Sequence, residues 1–465
     1  AGWLPYDTIV TQAARYGMRV NFDLIGGAPL WATGGRAPAP NMAHVWYPSP
    51  SAYGAFATAV GRRYSGAYTP PGASASLPRV SFWSIWNEPN VGTSSLSPQT
   101  VRGVEVAPQL YRSIANAAFE ALLSTGHRPG EDTILVGELA STGHLDPGSG
   151  LGMQPLRFLR ALYCVDSSYR QLRGAPAAAR GCPTTAASSS QFRAANPALF
   201  DATGWSHHPY DLLMAPNVPA PPAEPDWVTF ADLGKLERAL DRAQRVYGSD
   251  KKFPIYLTEF GYETNPPRPD FSTTPALQAQ YIDEGEYMAW RDPRVRTLTE
   301  YLLQDAPPGG GSSVSAFASG LLFANGAPKP AFDAYRLPLW MPSVKARHGD
   351  SLEVWGCVRP AKHYPRQQIG PVQIQLAGRT VRSIAITNPQ GYFDVHISFP
   401  HSGSVRLAWR YPGGPIIYSR EVAITEASGG QSPAVLIAVI AAVVLLGCLA
   451  LAVQLGRRRQ QSAAS

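Results

Sequence analysis

The stretch Arg79–Asn90, RVSFWSIWNEPN, constrains the fold of this chain more than any other. It begins as a short run of β-branched and aromatic residues, which is typical of a buried strand, and then passes into Asn-Glu-Pro-Asn. Pro89 lacks a backbone donor and disfavours a helical conformation at Glu88, so the strand is predicted to end there. A carboxylate at the carboxyl end of a buried strand is typical of an enzyme built on a parallel sheet.

A second apolar run ends in the same way far downstream. The segment 254–261, PIYLTEFG, brings Glu259 to the end of a predicted strand just before a glycine. Two carboxylates at strand ends are the minimum that retaining glycoside hydrolysis needs, because one must act as acid and base and the other as nucleophile. Glu263 and Asp305 are rival carboxylates, but neither ends an apolar run as cleanly.

The WNEPN and LTEFG segments, in this order, resemble the clan A retaining glycoside hydrolases, a superfamily of (β/α)8 barrels that includes cellulases and β-xylosidases. The resemblance implies that Glu88 is the acid/base, that Glu259 is the nucleophile and that Asn87 donates to the 2-hydroxyl of the sugar. It implies hydrolysis of a poly- or oligosaccharide with retention of configuration. It implies no metal and no organic cofactor.

The resemblance also implies a histidine and a tyrosine that bind substrate at another strand end, and the segment 206–210, SHHPY, offers both. Neighbouring residues of a strand point to opposite faces, so only one of the two histidines can face the substrate, and a packing role is open for each. An exposed tryptophan suits the apolar face of a sugar ring. The candidate substrate-binding residues are Asn87, Trp31, His207, His208, Tyr210, Glu138 and Gln304.

Strand and helix patterns alternate along residues 1–340, which indicates an α/β unit with a parallel sheet. Six strands are predicted, ending near Ile25, Glu88, Glu138, Tyr210 and Glu259 and finally near residue 304. A (β/α)8 TIM barrel needs eight, so we expect its first two strands to be missing and the chain to be N-terminally incomplete. Residues 1–426 alone are then expected to aggregate or to show little turnover, because an open barrel exposes sheet edges.

The remainder of the chain divides into four predicted segments. Short alternating runs between turn residues over 341–426 indicate an all-β, immunoglobulin-like sandwich, and 427–433 is a short linker. Residues 434–455 are almost uninterruptedly apolar and long enough for a ~30 Å hydrocarbon core, which predicts a transmembrane helix. The tail 456–465 carries an arginine triplet and is predicted to be cytoplasmic. This implies a single-pass protein of the cell membrane with an extracytoplasmic catalytic unit.

Four cysteines lie at positions 164, 182, 357 and 448. Cys164 and Cys182 flank a Ser/Ala/Arg-rich loop and are interpreted as a disulfide, which an oxidising compartment permits. Two unrelated thiols remain the alternative. No pair has the spacing of a metal site.

The formal net charge is +7, and three of these charges come from Arg457–Arg459 in the tail. Since no other basic run with interleaved aromatic residues occurs, nucleic acid is not expected as a partner. The expected partners are a carbohydrate and, through the C-terminal helix, a membrane; the oligomeric state is left open. A carbohydrate-binding surface protein on a decayed barrel is the alternative function, and an adhesive module is a third.

Overall fold

The computed structural model describes residues 2–148, 150–307, 317–360 and 369–427. The chain folds into two compact units: the first extends to Tyr335, and the second begins at Arg336. Each unit has its own hydrophobic core.

The first unit alternates strands and helices. Its strands are β1 (Asn21–Leu24), β2 (Phe82–Ile85), β3 (Thr100–Val101), β4 (Val104–Glu105), β5 (Thr133–Ala140), β6 (Gly204–His208), β7 (Ile255–Phe260) and β8 (Val295–Glu300). Its helices are α1 (Leu4–Arg15), α2 (Pro50–Arg63), α3 (Ala107–Ser124), α4 (Pro155–Leu162), α5 (Gly174–Ala178), α6 (Ala186–Ser190), α7 (Phe192–Ala195), α8 (Pro197–Asp201), α9 (Leu233–Val246), α10 (Pro275–Arg291) and α11 (Pro330–Arg336), the last of which reaches the first residue of the second unit. Short 3-10 helices span Leu30–Ala32, Pro40–Met42 and Phe230–Asp232.

Six of these strands form one sheet in the order β1-β2-β5-β6-β7-β8, and every neighbouring pair is parallel. The connections between successive strands contain helices, as parallel pairing requires. All six carboxyl ends therefore lie along one edge of the sheet. Strands β3 and β4 form a separate short hairpin in the loop after β2.

The predicted fold class, an eight-stranded (β/α)8 barrel, is wrong for the chain as described. Closure requires the first and last strands of the sheet to be linked, but β1 pairs only with β2 and β8 only with β7 among the described residues. The strands form an open, six-stranded parallel sheet. The alternation of strands and helices that suggested a barrel is equally compatible with an open α/β sheet.

Apolar side chains of the sheet and helices form the core of the first unit. Trp83 of β2, Ile134 of β5, Trp205 of β6 and Leu257 of β7 are fully buried, and α3 adds Phe119. This packing fixes the strands, so the loops at the carboxyl edge start from rigid positions.

The predicted disulfide is confirmed: Cys164 and Cys182 are bonded, with their Cα atoms 5.7 Å apart. The bridge ties the residues after α4 to those after α5, over a separation of 18 residues. A loop of this length contributes roughly 3 kcal/mol by the chain-entropy estimate.

The second unit consists of strands in its described part. These are β9 (Leu339–Trp340), β10 (Lys345–Arg347), β11 (Ser351–Cys357), β12 (Val372–Leu376), β13 (Arg379–Ile384), β14 (Tyr392–Ser398), β15 (Gly403–Arg410), β16 (Ile416–Tyr418) and β17 (Val422–Ala427). One sheet runs β10-β17-β15-β12-β13, with β16 also paired to β15, and the other runs β14-β11-β9. Side chains from both sheets, such as Val354 and Trp409, share one core.

The predicted transmembrane helix and cell-membrane location also require correction. No helix within the described ranges is long and apolar enough to cross a bilayer. The segment 434–455 and the tail 456–465, on which that prediction depended, lie outside the described residues.

Candidate active site

Glu88 lies three residues beyond the end of β2. The chain turns sharply there, because Trp86 and Glu88 both have left-handed backbone conformations, with φ of +66° and +44°. Such conformations are costly for residues other than glycine and cluster at functional sites. The Glu88 N–H donates to the carbonyl of Glu138 at 2.9 Å, which fixes the turn against β5.

Glu259 lies within β7 and converges on Glu88 from the other side of β6. A carboxylate oxygen of each residue and a ring nitrogen of His208 all lie within 4.8 Å of one another. Both carboxylate side chains are 24 % exposed, so solvent or a ligand can reach them. A separation of about 5–5.5 Å between two carboxyl groups is the geometry of retaining glycosidases.

His208 is the centre of this group. Its Nδ1 lies 3.0 Å from Oε1 of Glu88 and 3.6 Å from Oε2 of Glu259, while its Nε2 lies 2.8 Å from Oε2 of Glu138. The imidazole is almost fully buried. Because both ring nitrogens face carboxylate oxygens, the surroundings favour a doubly protonated ring.

Tyr210 lies two residues beyond His208 and points to the same site. Its hydroxyl donates to Oε2 of Glu259 at 3.0 Å. Burial, followed by the charges of Glu259 and Glu88, raises the pKa of Tyr210 well above its usual value. The phenol therefore remains a hydrogen-bond donor to Glu259.

Glu138 reaches the group through an irregularity in β5. The register between β5 and β6 shifts between Gly137 and Leu139, and Gly137 and Glu138 have φ of +117° and +47°. The Glu138 side chain is only 1 % exposed and accepts hydrogen bonds from His208 and from the hydroxyl of Thr258. Its carboxylate contacts protein side chains here, and the predicted contact with a sugar stays a prediction.

The buried charges shift each other's protonation. Burial by itself would lower the pKa of His208, but Glu259, Glu138 and Glu88 raise it well above its usual value. Burial would likewise raise the pKa of Glu138, yet the hydrogen bond and charge of His208 bring it below the usual value. Burial raises the pKa of Glu259, and the charge of Glu88 adds to this while His208 opposes it.

Two predicted residues lie apart from the carboxylate pair. His207 points to the other face of the sheet, where its Nε2 lies 2.8 Å from the carbonyl of Val228, and burial lowers its pKa to about 4. Gln304 is four residues beyond the end of β8 and donates its Nε2 to the carbonyl of Ala324 at 2.8 Å. Both side chains have structural contacts in the folded chain.

Two further candidates are Trp31 and Asn87. Trp31 is 80 % exposed and lines a cavity of about 240 Å³ together with Tyr53, Phe56 and Trp86. The side-chain oxygen of Asn87 is buried and has no hydrogen-bond partner among the described residues.

Asp23 on β1 and Thr258 on β7 also interact with this group, and neither was predicted from the sequence. Burial raises the pKa of Asp23 well above its usual value, and the charges of Glu138, Glu259 and Glu88 add to this. The signal was present in NFDL, where a charged residue interrupts a short apolar strand. A buried carboxylate in such a strand indicates a polar cluster.

The two rival carboxylates are both occupied by ion pairs. Both oxygens of Glu263 accept from the Arg268 guanidinium, and Asp305 accepts from Lys329 Nζ at 2.8 Å with both side chains buried. Neither carboxylate is held by His208. Glu88 and Glu259 are the pair that the structure brings together.

Within the described ranges, Glu88, His208 and Glu259 are also the one group whose donor atoms converge closely enough for a metal ion. A histidine ligand must offer a ring lone pair, whereas both nitrogens of His208 face carboxylates at hydrogen-bonding distance. Both ring nitrogens of His208 therefore take part in hydrogen bonds to carboxylates in this structure.

No protein-family model matches the chain, and no curated protein matches it. Solved structures do resemble it. β-Glucuronidase 2 of Bacteroides uniformis has a TM-score of 0.38 at 12 % identity, over 91 % of this chain and 40 % of that one. A β-glucuronidase of Parabacteroides merdae has a TM-score of 0.35 at 9 % identity, over 91 % and 43 % of the two chains.

A putative β-galactosidase of Bacteroides fragilis has a TM-score of 0.32 at 10 % identity, over 76 % of this chain and 42 % of that one. Two of these similar structures are named as β-glucuronidases and the third as a putative β-galactosidase. The chain spans about two fifths of their length, and likeness at this level does not assign an activity or a substrate.

Proposed function

We propose that this protein is a retaining O-glycosidase that cleaves a poly- or oligosaccharide by double displacement, as the resemblance to clan A enzymes implies. The observation that carries the proposal is the convergence of Glu88 and Glu259, whose carboxylate oxygens lie within 4.8 Å of each other and of His208. Both come from turns or irregular strand ends that hold them in fixed positions.

In the first step Glu259 attacks the anomeric carbon while Glu88 gives its proton to the departing glycosidic oxygen. The bond between that oxygen and the anomeric carbon breaks, and an ester between Glu259 and the sugar forms. In the second step Glu88 takes a proton from water, which attacks the anomeric carbon and releases Glu259. Two inversions leave the configuration unchanged.

The surrounding groups support these roles. The Tyr210 hydroxyl donates to Glu259 Oε2, which orients the other oxygen for attack. The His208 ring at Glu88 Oε1 stabilises the carboxylate that forms when Glu88 loses its proton. By the same resemblance, Asn87, which precedes Glu88 in the chain, donates to the sugar 2-hydroxyl.

Exchange of either carboxylate tests the proposal. In the full-length protein, Glu88→Gln and Glu259→Gln should each lower kcat on aryl glycosides by at least about 10³-fold, because the group that reacts is lost. Azide should partly restore Glu88→Gln on substrates with good leaving groups. A panel of 4-nitrophenyl glycosides of different configuration provides the substrates.

Glu263→Gln is the matched control, because its carboxylate is paired with Arg268, and it should keep kcat within about threefold. Near-normal hydrolysis by either variant of the pair would exclude the assignment. Sugar binding without hydrolysis in the parent protein would favour a carbohydrate-binding protein instead.

A further inference from the structure

Glu138 occupies an unusual position for a strand-end carboxylate next to a substrate cleft. Its side chain is 1 % exposed, and its Oε2 accepts from both His208 and Thr258. Burying a carboxylate costs several kcal/mol unless its partners compensate.

The main chain of Glu138 also forms hydrogen bonds. Its N–H donates to Ser206 Oγ at 3.0 Å, and its carbonyl accepts from the N–H of Glu88 at 2.9 Å. The left-handed φ of +47° at Glu138 lets one residue direct its carbonyl to Glu88 and its carboxylate to His208. His208 in turn contacts the carboxylate of Glu88. Glu138 therefore reaches the proposed acid/base by two routes.

We propose that Glu138 is a positioning residue for the glycosidase reaction, which holds His208 as an imidazolium against Glu88 and fixes the Glu88 main chain through its own carbonyl. The catalytic part of this inference rests on the proposed function. The Glu138–His208–Glu88 chain of contacts is independent of it.

Several groups act on His208 besides Glu138. Glu88 from the loop after β2 and Glu259 from β7 favour its charged form, as does Asp23 of β1 by its negative charge when ionised. His207, its neighbour on β6, is neutral because burial lowers its pKa to about 4, and Tyr210 keeps its proton. Glu138 differs from the others because it alone bonds to Nε2 and takes no part in the bond-breaking steps.

The carboxylate on Nε2 determines what Nδ1 can do. With a proton on each nitrogen, Nε2–H donates to Glu138 and Nδ1–H donates to Glu88. When Glu88 passes its proton to the leaving oxygen, the Nδ1–H bond stabilises the new carboxylate, and no proton leaves His208. Without Glu138 the ring can lose its Nε2 proton or change tautomer, and Nδ1 can then face Glu88 with a lone pair.

Glu138→Gln tests this role because it keeps size and shape but removes the charge. We expect the pKa of His208, followed by ring ¹⁵N shifts and assigned with a His208→Gln variant, to fall by more than about one unit. We expect kcat to fall about 10- to 100-fold with KM within threefold. The pH profile of kcat should also change, because a neutral His208 no longer stabilises the Glu88 carboxylate.

Glu263→Gln is again the control, since it makes the same chemical change at the same sheet edge but contacts Arg268. It should leave the His208 shifts and the pH profile unchanged. Thr258→Val is a milder variant that removes one donor to Glu138 and keeps the charge. It should preserve the fold, so it substitutes if Glu138→Gln does not fold: Thr258→Val should then lower kcat with KM unchanged and alter the ring ¹⁵N shifts of His208.

An unchanged His208 pKa in folded Glu138→Gln, or an unchanged kcat in either variant, would overturn the proposal. A lower kcat with an unchanged pH profile would mean that Glu138 is merely structural, which also overturns it. If the parent protein cleaves no glycoside, the proposed function fails, whereas the ¹⁵N titration still decides whether Glu138 holds the imidazolium.

Discussion

Asp23 is a half-buried carboxylate whose pKa is affected by three others. Burial comes first among the causes that raise its pKa, and Glu138, Glu259 and Glu88 add to it while His208 opposes them. Its Oδ1 has no hydrogen-bond partner in the described ranges. A buried charge without full compensation lowers stability, and active sites commonly carry such groups.

Asp23→Asn should therefore stabilise the protein at neutral pH. A carboxyl group whose pKa is raised by folding hardly affects the free energy of unfolding below its unfolded pKa. As pH rises from there towards the folded pKa, the group lowers the free energy of unfolding more and more. Asparagine does not titrate, so the variant should exceed the parent at pH 7 by about 1–2 kcal/mol, or a few degrees in Tm, and this gain should shrink towards pH 4.

Urea unfolding at pH 4 and pH 7 measures this difference. Asp201→Asn, an exposed aspartate at the end of α8, removes the same charge far from the carboxylates and serves as control. A variant that is less stable than the parent at pH 7, or a gain that is equal at both pH values, would contradict the assigned electrostatics.

At the scale of the elements, irregular strand ends place the functional side chains. The register of β5 shifts at Gly137, and that of β7 shifts between Leu257 and Phe260, on either side of Glu259. Bulges redirect side chains and are frequent next to active sites. Gly137 allows no side chain, because a Cβ there would lie 2.5 Å from the carbonyl oxygen of Ser206.

Gly137→Ala should thus disturb both the fold and the site. Backbone clash with β6 and the φ of +117° should together cost about 2–4 kcal/mol, measured by urea unfolding. Activity of the folded fraction should also fall, because Glu138 shifts. Gly248→Ala is the control, since its φ is +70° but nothing lies within 4 Å, and it should cost only about 1 kcal/mol. Equal losses in both variants would argue against a special role for the bulge.

Sequence patterns could predict the strand-end carboxylates but not their supports. The apolar runs that stop at Glu88 and Glu259 predicted two strand ends, because a buried strand ends where a charged residue appears. The bulge at Gly137 could not be predicted, because it depends on the register between β5 and β6. The alternation of apolar and polar residues in one strand does not show where that register shifts. The choice between His207 and His208 stayed open for the same reason, and the sheet decides it by turning His208 towards Glu88.

At the scale of the whole molecule, strand count and closure are different properties. Periodicity predicted six strands, and six parallel strands form the main sheet. Whether a sheet closes depends on pairing between its first and last strands, which no local pattern encodes. The expected barrel was therefore wrong because its closure depends on a long-range contact, whereas the position of both carboxylates at one edge of the sheet follows from parallel pairing.

Covalent trapping tests the central claim most directly. The full-length protein would be incubated with 2-deoxy-2-fluoro glycosides that match the aryl glycosides it cleaves, and its peptides would be mapped by mass spectrometry. The account predicts one added fluorosugar, on Glu259, and no such adduct in Glu259→Gln. An adduct on another carboxylate, or turnover with inverted configuration at the anomeric carbon, would contradict it.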